Sequence, residues 1–221
     1  MSTREADGLV LADSQVAADL RTFISRARSA DDGGAVRMQA QGQILAAYVC
    51  ILRPALLGEA TPTVLGLRTM PLARVAEVDR TVALAAVADR LARDQDEVNF
   101  SMPPAAVAAG WAGVLPSRSG WERRGILATE SLAAAAQAGI REVGAALPAR
   151  AGGLLVNNLR ASVWGRVLEG SAEGLPAGAA FGAFALGFLD PGQDAQLYRQ
   201  GRWLRVSTPR GHILVRAAAV L

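Results

Sequence analysis

The tetrapeptide Asp31-Asp32-Gly33-Gly34 separates two different apolar periods, and this switch constrains the fold more than any other feature of the chain. Before it, Val16, Leu20, Phe23, Ile24 and Ala27 fall on one stripe of a helix over residues 13–29. Asp13 or Ser14 stands where a capping side chain is needed. After it the period drops to two. Val36, Met38 and Ala40 alternate with Arg37, Gln39 and Gln41, the pattern of a half-buried strand. Gln41-Gly42 predicts a turn, and Ile44 to Leu52 is apolar throughout, which predicts a central strand covered on both faces. Thr63 to Thr69, opened by Pro62, predicts a third strand. Strand, tight turn, strand, loop, strand is the order of an antiparallel meander.

Helical spacing then returns. Leu84, Val87, Ala88 and Leu91 predict a helix over Val82–Arg93, and Asp94-Gln-Asp-Glu97 a solvated acidic turn. Ser101 is placed to cap a short helix with Pro103 and Pro104 in its first turn, running to Trp111. Residues 115–121 are dense in turn formers and read as a boundary. Helices are expected over 130–147, 154–169 and 177–189, the last apolar on every side and so buried. The chain ends with strands at 196–199, 202–208 and 212–216, separated by Gln200-Gly201 and Pro209-Arg210-Gly211 turns. The expected fold is α+β: an N-terminal antiparallel β-meander, a helical middle and a C-terminal three-stranded β-meander. Residues 1–114 and 115–221 form its two parts, as one domain or as two.

Composition bounds the chemistry. The chain holds one histidine, one cysteine and no lysine among 221 residues. A Ser-His-Asp relay would have to use His212, and a Cys–His pair would need Cys50 beside it. A zinc site built from both would already use the whole supply of imidazole and thiol. No phosphate-binding glycine loop, dinucleotide fingerprint or nucleophile elbow is present. No catalytic residue, metal ligand or cofactor is therefore assigned, and the balance leans away from an enzyme. Cys50 lies in the apolar strand as a small core residue, and His212 opens the last strand as a capped residue.

Charge is unevenly placed. Residues 1–194 carry 18 Arg and 20 acids, whereas residues 195–221 carry five Arg and no acid. No apolar run approaches the ~20 residues that a membrane helix requires, and the N-terminus lacks the apolar core of a signal peptide, so a cytoplasmic protein is expected. Helix, helix, short helix and an arginine-bearing hairpin follow one another in the C-terminal half, the order of a winged-helix module. On that hairpin Arg202, Trp203, Arg205, Arg210 and Arg216 are candidates for binding a nucleic acid or another anion, with the indole as a stacking platform. The helix over 177–189 carries no side chain able to read a base edge, which argues against the winged-helix reading. Arg118, Arg123 and Arg124 form a second candidate anion-binding loop around Trp121.

Three stretches, Gly34-Ala-Val-Arg-Met-Gln-Ala-Gln-Gly-Gln-Ile-Leu45, Pro62-Thr-Val-Leu-Gly-Leu-Arg68 and Gly201-Arg-Trp-Leu-Arg-Val-Ser-Thr-Pro-Arg-Gly-His212, resemble a family of uncharacterised cytosolic proteins of high-GC actinobacteria. The resemblance implies a bacterial protein and, since that family has no assigned activity, carries over no site residue. The resulting expectation is a non-catalytic interaction or regulatory module, with a homodimer or protein partner and no membrane. The alternatives are a nucleic-acid-binding protein using the C-terminal arginines, or a small enzyme that clamps an anionic substrate with arginines.

Overall fold

The computed structural model describes residues 8–55, 59, 61–93, 98–148, 152–171 and 173–217. In chain order the elements are β1 (Gly8–Val10), α1 (Ser14–Ala30), β2 (Ala35–Leu52), β3 (Thr63–Ala83), α2 (Leu84–Arg93), β4 (Asn99–Ser101), a 3-10 turn (Gly110–Gly113), β5 (Glu122–Ala128), α3 (Thr129–Ala146), α4 (Gly153–Trp164), α5 (Gly178–Ala185), β6 (Asp194–Gln200), β7 (Trp203–Thr208) and β8 (Gly211–Arg216). The fold is α+β. One sheet has the order β2-β3-β8-β7-β6-β5, and β1 pairs with β4 in a second, two-stranded sheet. The chain divides into two compact units, Met1–Val49 with Leu67–Gly113, and Cys50–Gly66 with Val114–Leu221. Both long strands, β2 and β3, cross that division.

In the first unit Leu20, Phe23, Ile24 and Ala27 of the stripe read from sequence form the buried face of α1, joined by Ala17, while Val16 is only half-buried. Asp13 caps the helix by accepting a hydrogen bond from the Val16 N–H at 2.8 Å. α2 lies beside α1 and buries Leu84, Val87 and Leu91; each such leucine contributes about 1.5–3 kcal/mol. On β2, Val36, Met38 and Ala40 point inward as their alternation requires. Arg37 grips Asp79 of β3 with two hydrogen bonds, 2.8 and 2.7 Å, and Gln39 donates to the same carboxylate at 2.9 Å. That bidentate partner raises the Arg37 pKa against the effect of burial.

Several local expectations change in this unit. β2 does not turn at Gly42. It continues to Leu52, with Gly42 taking φ +62°, a left-handed kink that glycine adopts without a Cβ clash. β2 is also an edge strand, not a central one, and Ile44 is 58% exposed. β3 runs on past Thr69 to Ala83. No α-helix forms over 101–111; only the 3-10 turn Gly110–Gly113 lies at the end of that span. Asn99–Ser101 pair with β1 instead, and the chain beyond is irregular with a bend at Pro104, the proline rings pushing preceding residues out of the helical region. The acidic turn at 94–97 lies outside the described residues.

In the second unit β5, β6, β7 and β8 pair antiparallel in sequence order. Leu197, Val206 and Ile213 occupy one row across them and are buried. Their face is covered by α5, where Gly182 sits against Val64 and Ile213. A Cβ there would come within 2.9 Å of Val64, so glycine is what lets the helix approach. Trp164 of α4 stacks on Phe181 with ring centroids 4.5 Å apart and meets Gly139 of α3. The Thr129 hydroxyl at the start of α3 donates to the carbonyls of Asp190 and Gln193, 2.6 and 2.8 Å away. The C-terminal hairpin is thus not a wing: β7 and β8 are interior strands, flanked by β6 and β3. Leu204, Val206, Ile213 and Val215 require that cover. β5 was not expected and forms the other edge of the sheet.

Candidate nucleic-acid interface

Strand pairing sets the C-terminal candidates on the sheet face opposite α5. Arg123, Tyr198, Arg205 and Leu214 stand in one row across β5 to β8, and Trp203 pairs with Arg216 in the next. Successive side chains alternate between faces, so these residues lie away from Leu197, Val206 and Ile213.

On this face the Arg205 guanidinium lies over two rings, 4.6 Å from the centroid of Trp121 and 4.4 Å from that of Tyr198. Each such contact is worth about 0.5–2 kcal/mol. The Trp121 indole donates to the Ser117 carbonyl at 3.1 Å, and the Gln200 amide donates to Ser119, so the 115–121 loop is tied down over the strands. Burial draws the Arg205 pKa below its usual value, opposed by the Tyr198 hydroxyl. Its Nε is buried and has no hydrogen-bond partner among the described residues. Arg216 lies 5.5 Å from the centroid of Trp203, which is itself buried.

The other candidates are dispersed. Arg210 donates to Asp190 at 2.5 Å, and Arg124 pairs with Glu122 at 2.6 Å. Arg202 is exposed on the β6–β7 turn, and Arg118 lies in the loop that carries Trp121. Arg199, whose side chain takes the opposite face, pairs with Glu173 at 2.6 Å. The stacking role expected of Trp203 fails on packing: one ring face meets Arg216 and the residue is 8% exposed, which leaves no platform for a base. His212 contacts the Ser207 hydroxyl through Nδ1 at 2.9 Å. Cys50 is half-buried, not a fully enclosed core residue, with its Sγ 3.5 Å from the Leu52 carbonyl.

A second group of cations escaped the sequence reading. α1 and α2 together carry Arg21, Arg26, Arg28, Arg90 and Arg93 against Asp19 and Asp89. Asp19 is engaged by Arg68 of β3 at 2.7 Å. Arg21 reaches across to the Leu91 carbonyl at 3.3 Å, which joins the two helices along their flank. The remaining pairs, Arg28 with Asp32 at 2.7 Å and Arg93 with Asp89 at 3.6 Å, are solvent-accessible i,i+4 contacts that water screens. Asp13, Asp31 and Asp32 stand at the ends of α1, and among the described residues no carboxylate pairs with Arg26 or Arg90.

The chain matches two domain families. Residues 4–113 match DUF8010 and residues 116–220 match DUF8185, each described as a domain of unknown function. These matches name no organism and so add nothing to the actinobacterial resemblance. No curated protein matches in sequence.

Solved structures match in fold. A DNA polymerase sliding clamp from Caulobacter crescentus superposes with a TM-score of 0.52 at 12% identity, over 96% of this chain and 66% of the clamp chain. A second structure of a beta sliding clamp from the same organism gives 0.50 at 12% identity over 96% and 65%. The beta subunit of DNA polymerase III from Thermotoga maritima gives 0.50 at 14% identity over 96% and 64%. The chain spans just under two thirds of each of these proteins. The expectation of a non-catalytic interaction or regulatory module is overturned by this likeness, because the proteins sharing the fold are clamps and a subunit of DNA polymerases. The nucleic-acid alternative fits it better. Among the described residues no helix is long and apolar enough to cross a membrane.

Proposed function

We propose that this chain is a clamp-like protein that holds duplex DNA. The observation that carries the reading is the fold, shared over 96% of the chain with DNA polymerase sliding clamps. The surface assigned to DNA is the α1–α2 pair, which carries five arginines, of which Arg28 and Arg93 are paired with Asp32 and Asp89. Guanidinium groups on a regular helix surface hold phosphate oxygens without reading bases, and each such pairing releases condensed counterions. Sequence-independent, salt-sensitive binding is what a clamp needs.

Self-association belongs to the same reading. A clamp holds a duplex by enclosing it, and a closed assembly of identical copies is the economical route. The assigned compartment is the cytoplasm, and the assigned source an actinobacterium.

The test is binding of a fluorescent duplex over a salt series, with wild type beside a variant carrying Arg26→Ala, Arg90→Ala and Arg93→Ala. The expected slope of log affinity on log salt falls by about 0.9 for each phosphate that is no longer neutralised. Equal slopes and affinities would exclude the helix pair. Retention on circular but not linear DNA would separate enclosure from simple adhesion.

A further inference from the structure

We infer that the sheet face of the second unit opposite α5, centred on Arg205, is a docking site for an acidic peptide segment of a partner protein. Three observations on this face lead there.

The first is its charge. Arg123, Arg205 and Arg216 lie on it, with Arg202 at its turn, and the only acid that β5 to β8 place on the face is Asp194, at its far end. Among the described residues no carboxylate pairs with Arg123, Arg202 or Arg216, whereas Arg124, Arg199 and Arg210 all have one. The second is geometry. Trp121 and Tyr198 both lie against the Arg205 guanidinium and fix its position, so that its N–H groups are held ready for an acceptor. A carboxylate takes two of them bidentately without disturbing the ring contacts. The third is what the rings can no longer do. Trp121, Tyr198 and Trp203 each have a guanidinium over one face, so that face is closed to a nucleobase. A recessed, half-buried guanidinium suits a carboxylate on a flexible side-chain stem better than a phosphate within a stiff backbone.

The probe is a fluorescein-labelled oligo-glutamate peptide, read by anisotropy and by Trp fluorescence, with single-stranded oligo-dT of equal charge as competitor. Wild type is expected to bind the peptide in a salt-dependent manner. Arg123→Ala with Arg202→Ala is expected to weaken binding about tenfold. Arg205→Lys, which keeps the charge but loses the planar fork, is expected to weaken it similarly. Both exchanges in the first variant are on exposed side chains, so that variant carries the test if Arg205→Lys does not fold. Undiminished peptide binding by the Arg123/Arg202 variant overturns the inference, as does displacement of the peptide by oligo-dT at equal concentration. The proposal does not rest on the α1–α2 surface: duplex binding by the Arg123/Arg202 variant should match wild type, and peptide binding should survive the Arg26/Arg90/Arg93 exchanges.

Discussion

Gly139 and Gly144 sit on the same helix, α3, yet replacing each by alanine should move stability in opposite directions. Helix propensity alone favours both changes by up to ~1 kcal/mol, since glycine is the costlier residue in a helix interior. A Cβ added at Gly144 meets nothing within 4 Å, so that gain is kept. A Cβ at Gly139 would stand 2.4 and 2.5 Å from two Trp164 ring carbons and 3.2 Å from Val163. The indole cannot retreat, because Trp164 is 2% exposed and is stacked on Phe181. α3 and α4 would have to separate by about 1 Å to restore ordinary van der Waals distances. Overpacking of this kind costs about 1–3 kcal/mol and outweighs the propensity gain. The expected result in urea titrations is a lower midpoint for Gly139→Ala and an equal or higher one for Gly144→Ala. Trp164→Phe on the Gly139→Ala background should recover part of the loss. If Gly139→Ala proves as stable as Gly144→Ala, the close approach of α3 and α4 is wrong.

Two further outcomes can be checked. Thr129→Val removes the hydroxyl that donates to the Asp190 and Gln193 carbonyls at a residue only 1% exposed, leaving only the backbone N–H on Gln193, and should cost about 1–3 kcal/mol in the same titrations, with Thr129→Ser retaining most of the stability. Glu130 is held below the usual carboxylate value of 4.5 by the Gly192 N–H and by its own backbone N–H, and Glu142 is held below it by Arg166. Depressed carboxylate pKa values stabilise the fold above 4.5 and stop doing so as pH falls through the folded-state values. The melting temperature of wild type should therefore drop more between about pH 5 and pH 3 than that of Glu130→Gln/Glu142→Gln. Parallel curves would mean that neither interaction persists in solution.

What the chain discloses in one dimension depends on where each element's stability arises. α1 was legible because its apolar stripe and its Asp13 cap are local. β6, β7 and β8 were legible because alternation and glycine turns coincide there. β5 was not: Glu-Arg-Arg-Gly has no apolar alternation, and its strand exists because β6 offers hydrogen bonds, with an irregularity between Arg123 and Gly125. The residues around Pro103 show the converse, where a capping serine and an N-terminal proline pair suggested a helix but pairing with β1 prevailed. The same limit applies to the candidate interface. A cluster of arginines at the C-terminus is visible by counting, whereas the α1–α2 surface is not, because Arg21 meets Leu91 across 70 residues. Trp203 looked like a platform by its place on a hairpin, and only packing reveals the Arg216 above it.

The passage of β2 and β3 through both units makes the boundary between the two matched families a poor place to cut. The segment Cys50–Gly66 belongs with residues that come far later in the chain, and β8 takes its outer hydrogen bonds from β3. A fragment starting at Val114 would leave β8 as a bare, apolar rim, with Gly178 and Gly182 deprived of Leu52 and Val64. Such a fragment is a recipe for sticky intermediates, and during synthesis β3 must wait, half-matched, until β8 has left the ribosome.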